Sequence, residues 1–102
     1  MLYLLDEPQI DKIMKNYFDD RFDGARWGEH ISNSGGGTWF GIINPDNVLL
    51  VGHPSHDDEF YFTNGEYFSE EHEIFGLSVK DFNDAMGRYI KKRYGCDFKR
   101  II

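Results

Sequence analysis

Residues 27–79 contain no lysine or arginine over 53 positions, although the chain has eleven basic residues in total. Nine carboxylates fall in the same interval: Glu29, Asp46, Asp57, Asp58, Glu59, Glu66, Glu70, Glu71 and Glu73. A middle segment with one sign of charge speeds encounters with cationic partners and repels anionic ones. Nucleic acid and anionic membrane are thereby excluded as expected ligands, and a basic protein surface becomes the expected one. Cysteine is almost absent. Cys96 is single, so no internal disulfide compensates for small size. No apolar run approaches the roughly 20 residues that a helical membrane span requires. The opening MLYLLDEPQ has five apolar residues and then Asp6 and Glu7. It lacks the basic n-region and longer apolar core of a secretion signal, so the expected location is the cytoplasm.

What is present suits a single domain over residues 1–102. Hydrophobic residues make up 40% of the chain, including nine Phe, six Tyr and two Trp. Each buried aromatic removes roughly 150–250 Å² from water, so the core is expected to be rich in rings rather than leucines. Eleven glycines against three prolines fit several tight turns in a folded domain better than a disordered tail. The net charge of −7 favours solubility and does not specify a fold.

Ile10, Ile13, Met14, Tyr17, Phe18 and Phe22 recur with helical period and predict a first helix. Asp6 is placed to cap it, Pro8 suits its first turn, and Gly24 lies just past its end. A short strand is expected at 29–32, ahead of a Ser-Asn-Ser-Gly-Gly-Gly loop. Strands are then expected across TWFGIIN and Val48 to Val51, joined by Asn44-Pro45-Asp46-Asn47 as a type I turn. Phe60 and Phe62 alternate with Glu59, Tyr61 and Thr63, and Asn64-Gly65 then precedes Glu66, Tyr67 and Phe68. That order predicts a hairpin. A last helix is expected from Ser78, with Asp81 three residues on and Leu77 able to staple to Phe82. Its apolar stripe is Val79, Phe82, Met86, Tyr89, Ile90 and Tyr94; Lys91, Lys92 and Arg93 suit its carbonyl end, and Gly95 closes it. The expected fold class is α+β: an antiparallel meander of three to five strands flanked by N-terminal and C-terminal helices packed on the sheet.

Two chemical constellations compete with a pure binding role. His53, His56, Asp57 and Asp58 lie in GHPSHDDE, where they could ligate a metal or supply a histidine–carboxylate acid–base pair. Pro54 interrupts them, and an exposed turn accounts for the same residues. Cys96 follows a helix end outside any nucleophile motif, so it reads as a half-buried small hydrophobe. Gly35-Gly36-Gly37 leads into a strand and lacks the Lys-Ser/Thr of a phosphate loop. No catalytic residue, metal or cofactor is assigned. The remaining candidate is the acidic, aromatic middle. Asp57, Asp58, Glu59, Tyr61, Glu66, Tyr67, Glu70, Glu71 and Glu73 combine carboxylates with aromatic anchors, a composition suited to lysine- and arginine-rich surfaces.

The segment GTWFGIINPDNVLLVGHPSHDDEFYFTNGEYFSEEHEIFGLSVKDFNDAMGRYIKKRYG resembles small immunity proteins of bacterial polymorphic toxin systems, including contact-dependent growth inhibition. The likeness lies in small size, acidity, abundant aromatics and a strand meander between helices without a catalytic motif. The resemblance implies a cytoplasmic antidote that binds a cognate basic toxin domain, often a nuclease, and occludes its active site or substrate surface. Two alternatives stand beside it: a small metal-binding or hydrolytic domain using the His53/His56/Asp57/Asp58 loop, and a phage-type nucleic-acid mimic.

Overall fold

Asp6 starts the first helix as its sequence position predicts. The computed structural model describes residues 6–31, 37–55, 61–68, 70–96 and 101. Within them run α1 (Glu7–Arg21), β1 (Arg26–Ile31), β2 (Thr38–Ile43), β3 (Leu49–Pro54), β4 (Phe62–Thr63), α2 (Gly65–Phe68), α3 (Glu71–Ile74) and α4 (Val79–Tyr94). The Asp6 carboxylate accepts from the Gln9 backbone N–H at 3.0 Å, and the Gln9 side chain accepts from the Asp6 N–H at 3.1 Å. This reciprocal box satisfies two amides that the first turn leaves open, a gain of about 1 kcal/mol. Ile10, Met14, Phe18 and Phe22 turn inward, whereas Ile13 is exposed. The buried stripe of α1 is therefore narrower than its apolar pattern.

At the other end, the Ser78 hydroxyl accepts from the Asp81 N–H at 3.1 Å, and Leu77 and Phe82 are both buried across the cap. Phe82, Ala85, Met86 and Ile90 form the inner face of α4, and Val79 stays outside. Gly95 adopts the left-handed conformation with φ 73° and donates to the Lys91 carbonyl at 3.0 Å. That closes the helix where its basic last turn, Lys91, Lys92 and Arg93, faces the negative end of the helix dipole.

The strands form one antiparallel sheet in the order β1-β2-β3-β4. The 44–47 turn joins β2 to β3. Asn47 donates to the Asn44 carbonyl at 2.9 Å, and the Asn44 side chain accepts from the Val48 N–H at 2.9 Å. Asn47 itself has φ 64°. A type I turn followed by a left-handed residue makes a bulged hairpin, in keeping with the register shift at Ile42/Ile43. The expected hairpin at Asn64-Gly65 does not form. Asn64 instead donates its backbone N–H to the Leu50 carbonyl and its side-chain amide to the Leu49 carbonyl. Its own carbonyl accepts from Tyr67 and Phe68, so the segment after it turns into α2.

Directly paired residues share a sheet face. Trp27, Ile42, Val51 and Thr63 therefore lie on one face, which meets the helices through Ile42 and Val51. Gly28, Gly41, Gly52 and Phe62 form a row on the other face. There Trp39 and Phe62 meet edge to face at 5.7 Å. A side chain at Gly41 would collide with the Val51 carbonyl and the Gly52 backbone, so this glycine allows β2 and β3 to approach closely. The main core joins Met14, Phe18 and Phe22 of the first helix segment to Phe82, Met86 and Ile90 of α4 and to Ile42, Leu50 and Val51 of the sheet. Its rings interlock: Phe22 stacks on Phe68 at 5.9 Å and on Tyr89 at 5.6 Å, and Phe18 meets Phe82 edge-on at 5.6 Å.

Candidate partner-binding surface

The structure distributes the nine expected binding residues unevenly. Asp57, Asp58 and Glu59 lie outside the described residues, as does His56. Glu66 falls in α2. Tyr61 is buried in the core cluster, its ring edge-on to His53 at 4.8 Å. Tyr67 is half-buried against the core, and its hydroxyl accepts from the Asn44 side-chain amide at 2.7 Å. Glu71 accepts from the Arg21 guanidinium at 2.7 Å with only 16% of its side chain exposed, tying α3 to the end of α1. These last three side chains hold the fold. Glu70 and Glu73 remain on the surface.

Glu70 and Glu73 lie four and one positions before an apolar residue that sequence periodicity does not single out. Ile74 ends α3 with 73% of its surface exposed. Glu70 sits before the helix at φ 68°, a conformation uncommon for a non-glycine residue. A second acidic and apolar strip lies on β1. Trp27, Glu29 and Ile31 point to one face of this strand, and Trp27 and Ile31 are 40% and 68% exposed. Each strip sets an exposed apolar residue beside surface carboxylates, the make-up of an interface anchor within a polar rim.

Beside β1, Trp27, Phe40 and Tyr61 surround the His53 ring at centroid distances of 6.5, 6.0 and 4.8 Å. His53 is buried, and its Nδ1 lies 2.8 Å from the Pro54 carbonyl, the geometry of an N–H donor. This places His53 inside an aromatic pocket rather than on an open loop. No group of three His, Cys, Asp or Glu side chains is arranged to hold a metal among the described residues. Burial pushes the Cys96 thiol above its ordinary pKa, away from the reactive thiolate.

The cations collect elsewhere. Arg88 of α4 makes a forked contact with Asp11 of α1, with Nε at 2.9 and 3.1 Å from the two carboxylate oxygens and Nη2 at 2.8 Å. The Asp11 hydrogen bond holds the Arg88 pKa above its ordinary value. Lys15 contacts Asp19 at 2.9 Å, Tyr89 donates to Asp19 at 2.7 Å, and Arg93 donates to the Tyr89 hydroxyl at 2.7 Å. Burial, with the Asp19 bond adding to it, raises the Tyr89 pKa to about 12. Among the described residues, Arg21–Glu71 is the one ion pair that reaches into the basic-free interval. Glu29, Asp46, Glu70 and Glu73 form no ion pair among the described residues. No helix among the described residues is long and apolar enough to cross a membrane. No protein-family model, curated protein or solved structure matches this chain.

Proposed function

We propose that this chain is an immunity protein, a cytoplasmic antidote that binds a cognate basic toxin domain and occludes its active site or substrate surface. The observation that supports this reading is the pairing of unneutralised carboxylates with exposed apolar residues. Glu29 stands between Trp27 and Ile31 on β1, and Glu70 and Glu73 closely precede exposed Ile74. The fold's own cations are engaged on the helices or lie outside the basic-free interval, so these carboxylates are available to lysines and arginines of a partner. Such steering speeds association and adds close charge pairs worth roughly 1.5–7 kcal/mol each. A nuclease domain fits this scheme, because a surface that binds phosphates is basic and an acidic protein can occupy it.

The test is rescue. The toxin domain encoded beside this chain's gene is expressed from an inducible promoter, with and without the chain. Restored growth, together with a stable one-to-one complex of the two purified proteins, supports the reading. Unrelieved toxicity and no complex at low salt would overturn it. The triple replacement of Asp57, Asp58 and Glu59 by Ser then asks whether the 56–60 segment belongs to the same interface.

A further inference from the structure

The helices carry a second site of opposite character, and it lies outside the proposed toxin interface. A cleft of about 730 Å³ opens between α1 and α4. Small-molecule pockets occupy roughly 300–1,000 Å³, so the cleft is sized for a small ligand rather than a macromolecule. Five cations line it: Lys12 and Lys15 from α1, and Arg88, Lys92 and Arg93 from α4. Against them stand Asp11 and Asp19. Subtracting those two charges, and that of Glu7, which pairs with Arg88 at 3.8 Å, from the five leaves a local charge of +2 in a chain whose net charge is −7. Because charges more than about 8 Å apart are largely screened at physiological salt, the local sign governs a ligand inside the cleft.

The internal pairing is selective. Asp11 grips Arg88, and Asp19 is shared by Lys15 and Tyr89. Lys12 and Lys92, one from each helix, have no partner among the described residues. Neither ammonium group is neutralised by a side chain among the described residues, so both are available to an anion in the cleft. The remaining lining is apolar or aromatic: Pro8 and the ring of Tyr89 stand at its wall, and Phe18 and Ala85, each 1% exposed, lie buried beneath it. Tyr89 is fixed by hydrogen bonds at both sides of its hydroxyl, so its ring is held in place before any ligand arrives. A fixed aromatic wall with exposed ammonium groups beside it suits a ligand with a flat or apolar body and a compact, multiply charged head. A phosphate ester meets that description, since its oxygens accept several charge-assisted hydrogen bonds at once.

We propose that the α1–α4 cleft binds a small organic phosphate, with Lys12 and Lys92 holding the phosphate and Pro8 and the ring of Tyr89 supporting its apolar part. Arg88 serves as a positioning residue whose orientation Asp11 sets. The ligand could come from the nucleotide pool or from other phosphate esters, which share this chemistry.

The test follows backbone amide signals of the full chain by NMR during titration with phenyl phosphate, adenosine monophosphate and inorganic phosphate. Saturable shifts are expected at Lys12, Lys15, Ala85 and Lys92, with at least one ester binding roughly tenfold or more tightly than inorganic phosphate. Tighter binding of adenosine monophosphate than of phenyl phosphate assigns the ligand to nucleotides; the reverse assigns it to other esters. In the K12Q/K92Q double variant, two exposed changes that leave the core intact, affinity should fall by roughly tenfold or more while signals of the sheet stay in place. The proposal is overturned if no ester gives saturable shifts, if inorganic phosphate binds as well as both esters, or if K12Q/K92Q binds as tightly as the parent chain.

Discussion

Replacing Gly41 by alanine tests the sheet register with one methyl group. A Cβ at this position would overlap the Val51 carbonyl oxygen and stand 2.6 Å from the Gly52 Cα. Carbon atoms meet comfortably at roughly 3.5 Å or more, so β2 and β3 would have to move apart by about 1 Å. Both obstacles are backbone, and no rotamer change relieves them. Overpacking typically costs about 1–3 kcal/mol, and backbone against backbone belongs at the top of that range. Strand separation would also weaken a ladder bond worth about 1 kcal/mol. A loss of at least about 3 kcal/mol should lower the Tm by roughly 12–24 °C for a domain of this size. Two controls carry the same substitution. Gly65 has nothing within 4 Å of its Cβ position and no positive φ, so G65A should change stability by less than about 0.5 kcal/mol. Gly37 is equally open but has φ 81°, so G37A should cost about 1 kcal/mol from backbone strain alone. Urea unfolding followed by tryptophan fluorescence and circular dichroism measures all three. If G41A matches G65A within about 0.5 kcal/mol, the pairing of Gly41 with Gly52 is wrong.

The two acidic residues of α3 should separate by role. E71A breaks the part-buried pair with Arg21 and should cost about 1 kcal/mol in chemical denaturation, after allowance for solvent screening. E73A should leave stability within about 0.5 kcal/mol and slow association with the toxin domain. Replacing exposed Ile74 by serine should likewise preserve the denaturation midpoint, but raise the rate at which the complex dissociates; a large loss of stability would place Ile74 in the core. Tyr89 links stability to alkaline pH. Its folded pKa of about 12 exceeds the ordinary tyrosine value of 10.0, so the native state retains a proton that the unfolded chain releases. The stability associated with this group is present below pH 10 and declines as pH rises toward 12. Burial also raises Tyr17 and Tyr94, so phenolate absorbance should show several tyrosines titrating late, and Y89F should remove the component near pH 12.

The ends of the molecule were readable because their signals are local. Asp6, Ser78 and Gly95 act on amides and carbonyls within one turn, and each performs the expected cap; the Gln9 side chain that completes the Asp6 box is not among the expected caps. The 44–47 turn is equally local, since Pro45 suits its second position and Asn tolerates the left-handed conformation that Asn47 adopts. The order of one helix, an antiparallel sheet and a last helix followed from these pieces. Asn64-Gly65 failed as a hairpin signal because Asn64 finds distant partners in the Leu49 and Leu50 carbonyls. Those contacts complete the edge of β3, and no local pattern records them. Alternation at 60–63 could not tell inside from outside, because both sets contain rings; the fold buries Tyr61 and leaves Phe62 at the surface. For the binding surface, composition located the acidic interval but could not distinguish Glu71, which is paired with an arginine fifty positions earlier, from Glu73. Ile74 escaped notice because one apolar residue in a four-residue helix leaves no periodic signal.

The most direct test of the proposed function is the association rate between this chain and the toxin domain encoded beside it, measured by stopped-flow across a range of salt concentrations. Electrostatic steering predicts fast association that falls steeply as salt rises, and a clear reduction when Glu29, Glu70 and Glu73 are replaced together by serine. Binding that is independent of salt and unchanged by the triple replacement would contradict the account.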